Sequence, residues 1–356
     1  MLDVSLCRAE ELGRAEREAW RAFRAADPLL ASPYFSLDFL DAMAGVRRDV
    51  RVLVAREAGR PAAFLPLHIG VLGHARPLGG PLGDHHGLIA EPGARIDLAR
   101  LAEAGGIAVY DFFGVPGNQG AFRACGRVEN GSWVIDLSQG FDAYLARRTA
   151  LEPKAFRNLR ARERKIDEAG AVLRVDDRRA HVLQAGLTWK SEQYRRTGHF
   201  DVFSVGWTRD LMSTLLASRG ETRGLVSSLE IGGRLAAVHV GMRSARVMHY
   251  WFPSYDPEFA QFGPGLALLM RLAQALGEDG VEEIHLGPGD YDFKAQLGSW
   301  QFPLVRGYVG RPSVAGAVRA LAGRLERAGD ALPRPVAGLP GRVFRRIDVM
   351  AGFHAR

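Results

Sequence analysis

Cysteine is nearly absent. Cys7 and Cys125 are the two in 356 residues, too few for a disulfide framework, and no C-x-x-C pair occurs. Lysine is almost as scarce. Lys154, Lys165, Lys190 and Lys294 make up the whole set, so 47 basic residues less four lysines leaves 43 arginines. That bias follows genome composition, yet it singles out each lysine, because ammonium and guanidinium are not interchangeable at a tuned site. No run of ~18 apolar residues is present, so no segment reads as a membrane-spanning helix. The opening "MLDVSLCRAEELGRAEREAW" has no apolar h-region, which argues against a signal peptide and for a cytoplasmic protein. A Ser-His-Asp signature is missing too. The adjacent histidines of "GDHHG" (83–87) point opposite ways in extended chain, with no further ligand at metal spacing, so no metal is expected.

What is present is ordinary globular composition, 47% apolar and 24% charged, which excludes a wholly disordered chain. The length suits two domains. The net charge of +7 is unevenly placed: residues 313–356 hold eight arginines against Glu326, Asp330 and Asp348. A basic tail suits an anionic surface such as membrane lipid or nucleotide, and a solvated terminal helix would carry the same charge.

Periodicity and turn residues place helices over 9–26 and 36–44, then a hairpin-like strand pair at 49–57 and 62–70. The stretch from Gly73 to Gly93 is too rich in glycine for helix. Strands are expected at 107–113 and 132–137, and helices at 139–149 and 152–170, the second stopped by Gly170. A strand at 171–177 and helices at 179–196 and 208–218 follow. Strands at 223–231 and 234–243 are joined by Gly232-Gly233, a hairpin signal, and another runs over 246–253. A helix over 265–280, a strand from Val281 and a further helix complete the pattern. The fold class is α+β, with a boundary near 140 and the tail from 313.

Chemistry concentrates in two places. "YWFPSYDPEFAQFGPGLALL" is a strand opening into a loop whose Gly263-Pro264-Gly265 starts a helix. Bare amides at a helix N-terminus form an anion cradle, and glycine permits close approach, although turns and helix starts use the same residues. "GPGDYDFKAQLG" then delivers Asp290, Tyr291, Asp292 and Lys294 directly after a buried strand. Turn chemistry accounts for the glycines and not for the charges. The helix at 154–165 carries Lys154, Arg157, Arg160, Arg162, Arg164 and Lys165 against one glutamate, a density that suits phosphate.

Together these segments resemble the CelD/BcsL-like branch of the GNAT-type acyltransferases, associated with exopolysaccharide synthesis and related in fold to Fem-type peptidyltransferases. The resemblance covers roughly residues 30–312. It departs from the usual pattern at Ala260, where Arg or Gln is expected, at His285, where Asp is usual, and at Phe293, where Tyr is commoner.

The resemblance implies two tandem GNAT-like domains, 1–139 on the acceptor side and 140–312 for acyl-CoA and catalysis, each with a mixed, largely antiparallel sheet. A basic tail, 313–356, follows. Acyl-CoA, acetyl-CoA first, would bind at Gln261, Phe262, Gly263, Pro264 and Gly265. Asp292 is favoured as base over Asp290, with Tyr291 and Lys294 beside it. Trp189, Tyr255, Asp256, Asp84 and His85 would contact an acceptor, an amino sugar or polysaccharide precursor. The partners implied are that acceptor and, through the basic helix or tail, a nucleotide or the inner face of a membrane, with no DNA. Two alternatives stay open: a Fem-like transferase using charged tRNA, and a non-catalytic protein that retains the frame to sense a nucleotide or membrane.

Overall fold

The computed structural model describes residues 3–330 and Phe353. In chain order the elements are β1 (Asp3–Cys7), α1 (Arg14–Ala26), α2 (Leu37–Val46), β2 (Val50–Glu57), β3 (Arg60–Ile69), β4 (His74–Pro77), β5 (Ile89–Ala90), α3 (Leu98–Ala104), β6 (Val109–Pro116), α4 (Gly120–Arg123) and β7 (Gly126–Asp136). Then come α5 (Phe141–Leu151), α6 (Pro153–Glu168), β8 (Val172–Arg174), α7 (Ala180–Arg196), α8 (Gly206–Ala217), β9 (Arg223–Ile231), β10 (Arg234–Arg243), β11 (Val247–Tyr255), α9 (Pro264–Glu278), β12 (Glu283–Pro288), α10 (Asp292–Leu297), β13 (Trp300–Gly310) and α11 (Val314–Asp330).

The chain forms two compact units. One comprises Met1–Leu30, Leu40–Glu129 and Pro303–Arg356, the other Ala31–Phe39 and Asn130–Phe302. The first unit orders its strands β1-β2-β3-β4-β6-β13, with β5 beside β3, and among its described residues only β4 and β6 run parallel. The second orders them β7-β12-β11-β10-β9-β8, with β11 and β12 as its parallel pair. Both are mixed, largely antiparallel sheets with helices against them, the α+β architecture expected.

Local chemistry explains the hairpins. Ala58 and Gly59 both take positive φ between β2 and β3, and Gly232 and Gly233 do so between β9 and β10, the twist that a two-residue hairpin turn requires. Trp20 and Phe23 of α1 close over Phe64 of β3, with ring centroids 5.1 and 6.1 Å apart. In the second unit, Met248, Tyr250, Leu269, Leu272, Ile284 and Leu286 share one core.

The division of the chain departs from the expected cut at 139/140. Strand pairing decides membership: Ser132 to Asp136 of β7 ladder with β12, and Leu304 to Gly310 of β13 ladder with β6, nearly two hundred residues upstream. Composition along the chain carries no trace of such non-local pairing. β1, α3, α4 and β13 lie outside the elements expected, β13 because its partner β6 is nearly two hundred residues upstream. β4 and β5 sit within the glycine-rich stretch, where no regular helix is expected. Of the basic tail, residues 331–352 and 354–356 lie outside the described residues. In its described part, Arg319 of α11 pairs with Asp111 and stacks over Tyr308 at 4.7 Å.

Candidate functional site

The second unit builds its site around a parted strand pair. β11 and β12 are laddered only where Val247–His249 face Glu283–His285. Past that point β11 continues to Tyr255 beside β10, while β12 shifts register between His285 and Gly287 to follow β7. The two strands therefore separate at their C-terminal ends, leaving a gap at the carboxyl end of the only parallel pair in this unit.

α9 starts at that gap. Gly263 takes φ +64, a left-handed conformation that favours glycine, and caps the helix without a side chain. Pro264 has no N–H to orphan. The Leu266 and Ala267 amides turn back to the Gly263 carbonyl at 3.2 and 3.3 Å, and the Gly265 N–H has no backbone acceptor among the described residues. The Tyr250 hydroxyl donates to the Gly265 carbonyl at 3.2 Å and holds this turn. A Cβ on Gly263 would lie 3.0 Å from Nη1 of Arg162, so a guanidinium stands at the positive end of the helix. A Cβ on Gly265 would meet only Tyr255, at 3.8 Å.

Arg162 belongs to a stripe. Lys154, Asn158 and Arg162 recur every four residues along α6 and line one cleft of about 360 Å³ together with Leu159, Leu266 and Gln296. Arg271 of α9 fixes the orientation of α6. It donates to Glu163 at 2.9 and 2.7 Å and to Asp167 at 2.7 Å. Burial raises the Glu163 carboxyl, and Arg271 works against that rise. Helix start, guanidinium and basic stripe together form a positively charged cradle beside an open cleft.

The acidic corner after β12 is divided. Asp290, Tyr291 and Asp292 face solvent, while Lys294 turns inward and is 8% exposed. Its Nζ donates to the carbonyls of Pro288 (2.5 Å) and Gly287 (3.3 Å), on the parted end of β12. Asp292 opens α10 with Tyr291 at the N-cap. α10 is anchored from α5. The Arg148 guanidinium donates to the Ala295 and Gln296 carbonyls at 2.9 and 2.6 Å, and the Tyr144 hydroxyl to Leu297 O at 2.9 Å.

α7 lies on the other face of the sheet from α9. Gly186 of α7 packs so tightly that a Cβ would lie 2.6 Å from Val238, whereas α9 packs on the neighbouring Ala237, and successive strand residues face opposite ways. From α7, Trp189 and Gln193 line a small hollow with Tyr255, so two of the expected acceptor residues do meet. Asp256 caps the turn at Pro257–Phe262, accepting from the Glu258 amide at 3.0 Å. Gln261 is exposed and Phe262 half-buried on that turn. Asp84 and His85 belong to the first unit, His85 buried and Asp84 half-buried.

Lys190 is the residue that the sequence reading passed over. Half-buried on α7, it donates to Pro253 O and Gln193 Oε1, both at 3.2 Å, and lies 5.2 Å from the Tyr194 ring centre. Burial, and then the neighbouring Lys294 charge, push its ammonium down to about 8. The scarcity of lysine was the signal that could have found it.

Residues 153–295, within the second unit, match the family model of the GNAT acetyltransferase domain. Among solved structures, the chain is similar to the C-terminal domain of a lysylphosphatidylglycerol synthetase from Agrobacterium fabrum, with TM-score 0.54, 15% identity, and 86% of this chain and 93% of that one covered. It is similar to FemX, with TM-score 0.57, 11% identity, and 83% and 96% covered. A tandem GNAT protein from the clavulanic acid biosynthesis pathway aligns at TM-score 0.50 and 14% identity, over 88% of this chain and all of that one. These likenesses concern the fold. No curated protein matches the chain. Among the described residues no helix is long and apolar enough to cross a membrane.

Proposed function

We propose that the second unit moves an acyl group from acyl-CoA to an amino group on an amino sugar or cell-envelope precursor, as the likeness of residues 30–312 to the CelD/BcsL-like branch suggests. The observation that carries this reading is the start of α9, where the Gly265 amide has no backbone acceptor among the described residues and Arg162 stands beside Gly263, at the gap between β11 and β12. A CoA diphosphate would lie there, with its nucleotide end toward Lys154 and Asn158. The gap would admit the thioester, whose carbonyl needs main-chain donors as negative charge develops on its oxygen. The acceptor amine must lose a proton near neutral pH and be held at reacting distance. Asp292, with Asp290 as the second choice, is proposed as its base or anchor, and Tyr291 and Lys294 flank it. Trp189 and Tyr255 offer an aromatic wall to a sugar, and Asp256, Asp84 and His85 stay in the proposed acceptor set.

Thermal unfolding with and without acetyl-CoA tests this. Saturating ligand should raise Tm by several degrees. A Gly265→Glu variant, which places a carboxylate in the cradle, should abolish the rise. No shift in the wild-type protein at millimolar acetyl-CoA would overturn the reading. Asp292→Asn should still bind CoA and lose turnover, and unimpaired turnover would remove Asp292 from the mechanism.

A second reading, transfer from charged tRNA, is favoured by the exposed Arg157, Arg160 and Arg164 on α6. Aminoacyl-tRNA would then bind in the absence of any acetyl-CoA effect.

A further inference from the structure

We propose that Lys190 is an internal acyl acceptor: when no acceptor amine is bound, its ε-amino group takes the acyl group from the thioester held by the second unit. This rests on the acyl-CoA reading above and goes beyond it, since it assigns a covalent modification site.

Two ammonium groups stand at the two lips of the gap. Lys190 is hydrogen-bonded to Pro253 on the parted length of β11, and Lys294 to Gly287 and Pro288 on the parted length of β12. They are near enough for the charge of one to act on the other. A short chain of neighbours joins Lys190 to the anion cradle. Tyr255 lies beside Gly265, Tyr255 and Gln193 line one hollow, and Gln193 accepts a hydrogen bond from Lys190. The groups around the Lys190 nitrogen are a carbonyl, an amide oxygen and a π-face, and no carboxylate figures among the charges acting on it. The amine therefore sits on the α7 side of the opening, reached by solvent, and sheds its proton easily. At a given pH near neutrality about two orders of magnitude more of it is neutral than of an exposed lysine.

The step balances without a further reactant. The nitrogen lone pair attacks the thioester carbonyl carbon. The N–C bond forms as the C–S bond breaks, and the departing thiolate takes the proton that the nitrogen loses. The products are free CoA thiol and a neutral amide at Lys190, which relieves one of two facing positive charges. Acylated protein would be blocked toward external amines, so accumulated donor would silence the enzyme.

Four lysines make the test clean. Lys165 is exposed on α6, does not line the cleft, and reports plain chemical acylation. The full chain is incubated with acetyl-CoA at near-neutral pH without acceptor, and each lysine is followed by peptide mass mapping. Acetylation of Lys190 should run at least about tenfold faster than that of Lys165. Gly265→Glu should bring Lys190 down to the exposed rate. Lys294→Met should slow Lys190 at the same pH, because removal of the facing charge lets it hold its proton. If acetyl-CoA stabilises the fold while Lys190 reacts no faster than Lys165, the proposal falls and the acyl-CoA reading stands. If neither stabilisation nor selectivity is seen, both fall. Lys190 labelling that survives Gly265→Glu is solution chemistry and also overturns the proposal.

Discussion

At Gly263 a single backbone angle sets up the anion cradle. With φ at +64, replacement by alanine strains the turn by about 1–2 kcal/mol, and its Cβ would press on Arg162. Gly263→Ala is therefore expected to lower the denaturant midpoint and to weaken acetyl-CoA binding together, as titration calorimetry would show. Lys190 makes a prediction in pH. Its folded-state value is about 8, below its ordinary value near 10.5, so between those limits the unfolded chain holds a proton that the folded one has released. Burial of the charged form is a full penalty below about pH 8 and fades as pH rises toward 10.5. Lys190→Met should thus gain stability over wild type at pH 7, by an amount on the order of 1–3 kcal/mol, and lose that gain at higher pH. A difference independent of pH would show that the lysine is not depressed. The paired glycines of the cradle were legible from sequence, since few other residues start a helix that way. The inward turn of Lys294 was not, because the carbonyls that hold it belong to a strand end whose bend follows from pairing with β7.

At the scale of elements, the site depends on two helices held by arginines. Arg271 joins α9 to α6 and is what turns the Lys154, Asn158 and Arg162 stripe toward the cleft. Arg271→Ala leaves Glu163 half-buried without its main cation. A loss of about 2–4 kcal/mol is expected, with CoA affinity down about tenfold as the stripe drifts. Urea unfolding and calorimetry would read the two effects, and stability loss with unchanged affinity would separate the clamp from the cleft. Arg148 plays the equivalent part for α10, whose last carbonyls it satisfies. Sequence periodicity located α6, α7 and α9 to within a few residues because each carries a clear apolar stripe. α10 follows the last strand as the element order implies, but it spans only one and a half turns, too short a pattern to fix its bounds, so its anchoring to Arg148 and Tyr144 went unseen.

For the molecule as a whole, the two units draw on interleaved segments of chain. The second owns residues 31–39 and 130–302, and the first closes with residues 303–310. A fragment cut at 139/140 would strip β7 from β12 and β13 from β6, exposing the edge groups of both sheets. Fragments 1–139 and 140–312 expressed separately are expected to aggregate or to give spectra without dispersion, and a well-dispersed spectrum from either would contradict the pairing described. The tandem plan came from the resemblance to the GNAT-type family and not from any repeat read along the chain. The exchange of strands between the halves was not legible, since it is recorded only in partners far apart along the chain.

β13 has a bearing on how the protein is made. On a ribosome, amino-terminal domains ordinarily finish first. Here the earlier-synthesised half lacks the strand that seals β6 until its closing residues emerge, while almost everything the acyltransferase half requires has been translated by residue 302. Maturation should run backward, with the later half setting first and the earlier one completed by the returning end of the polypeptide.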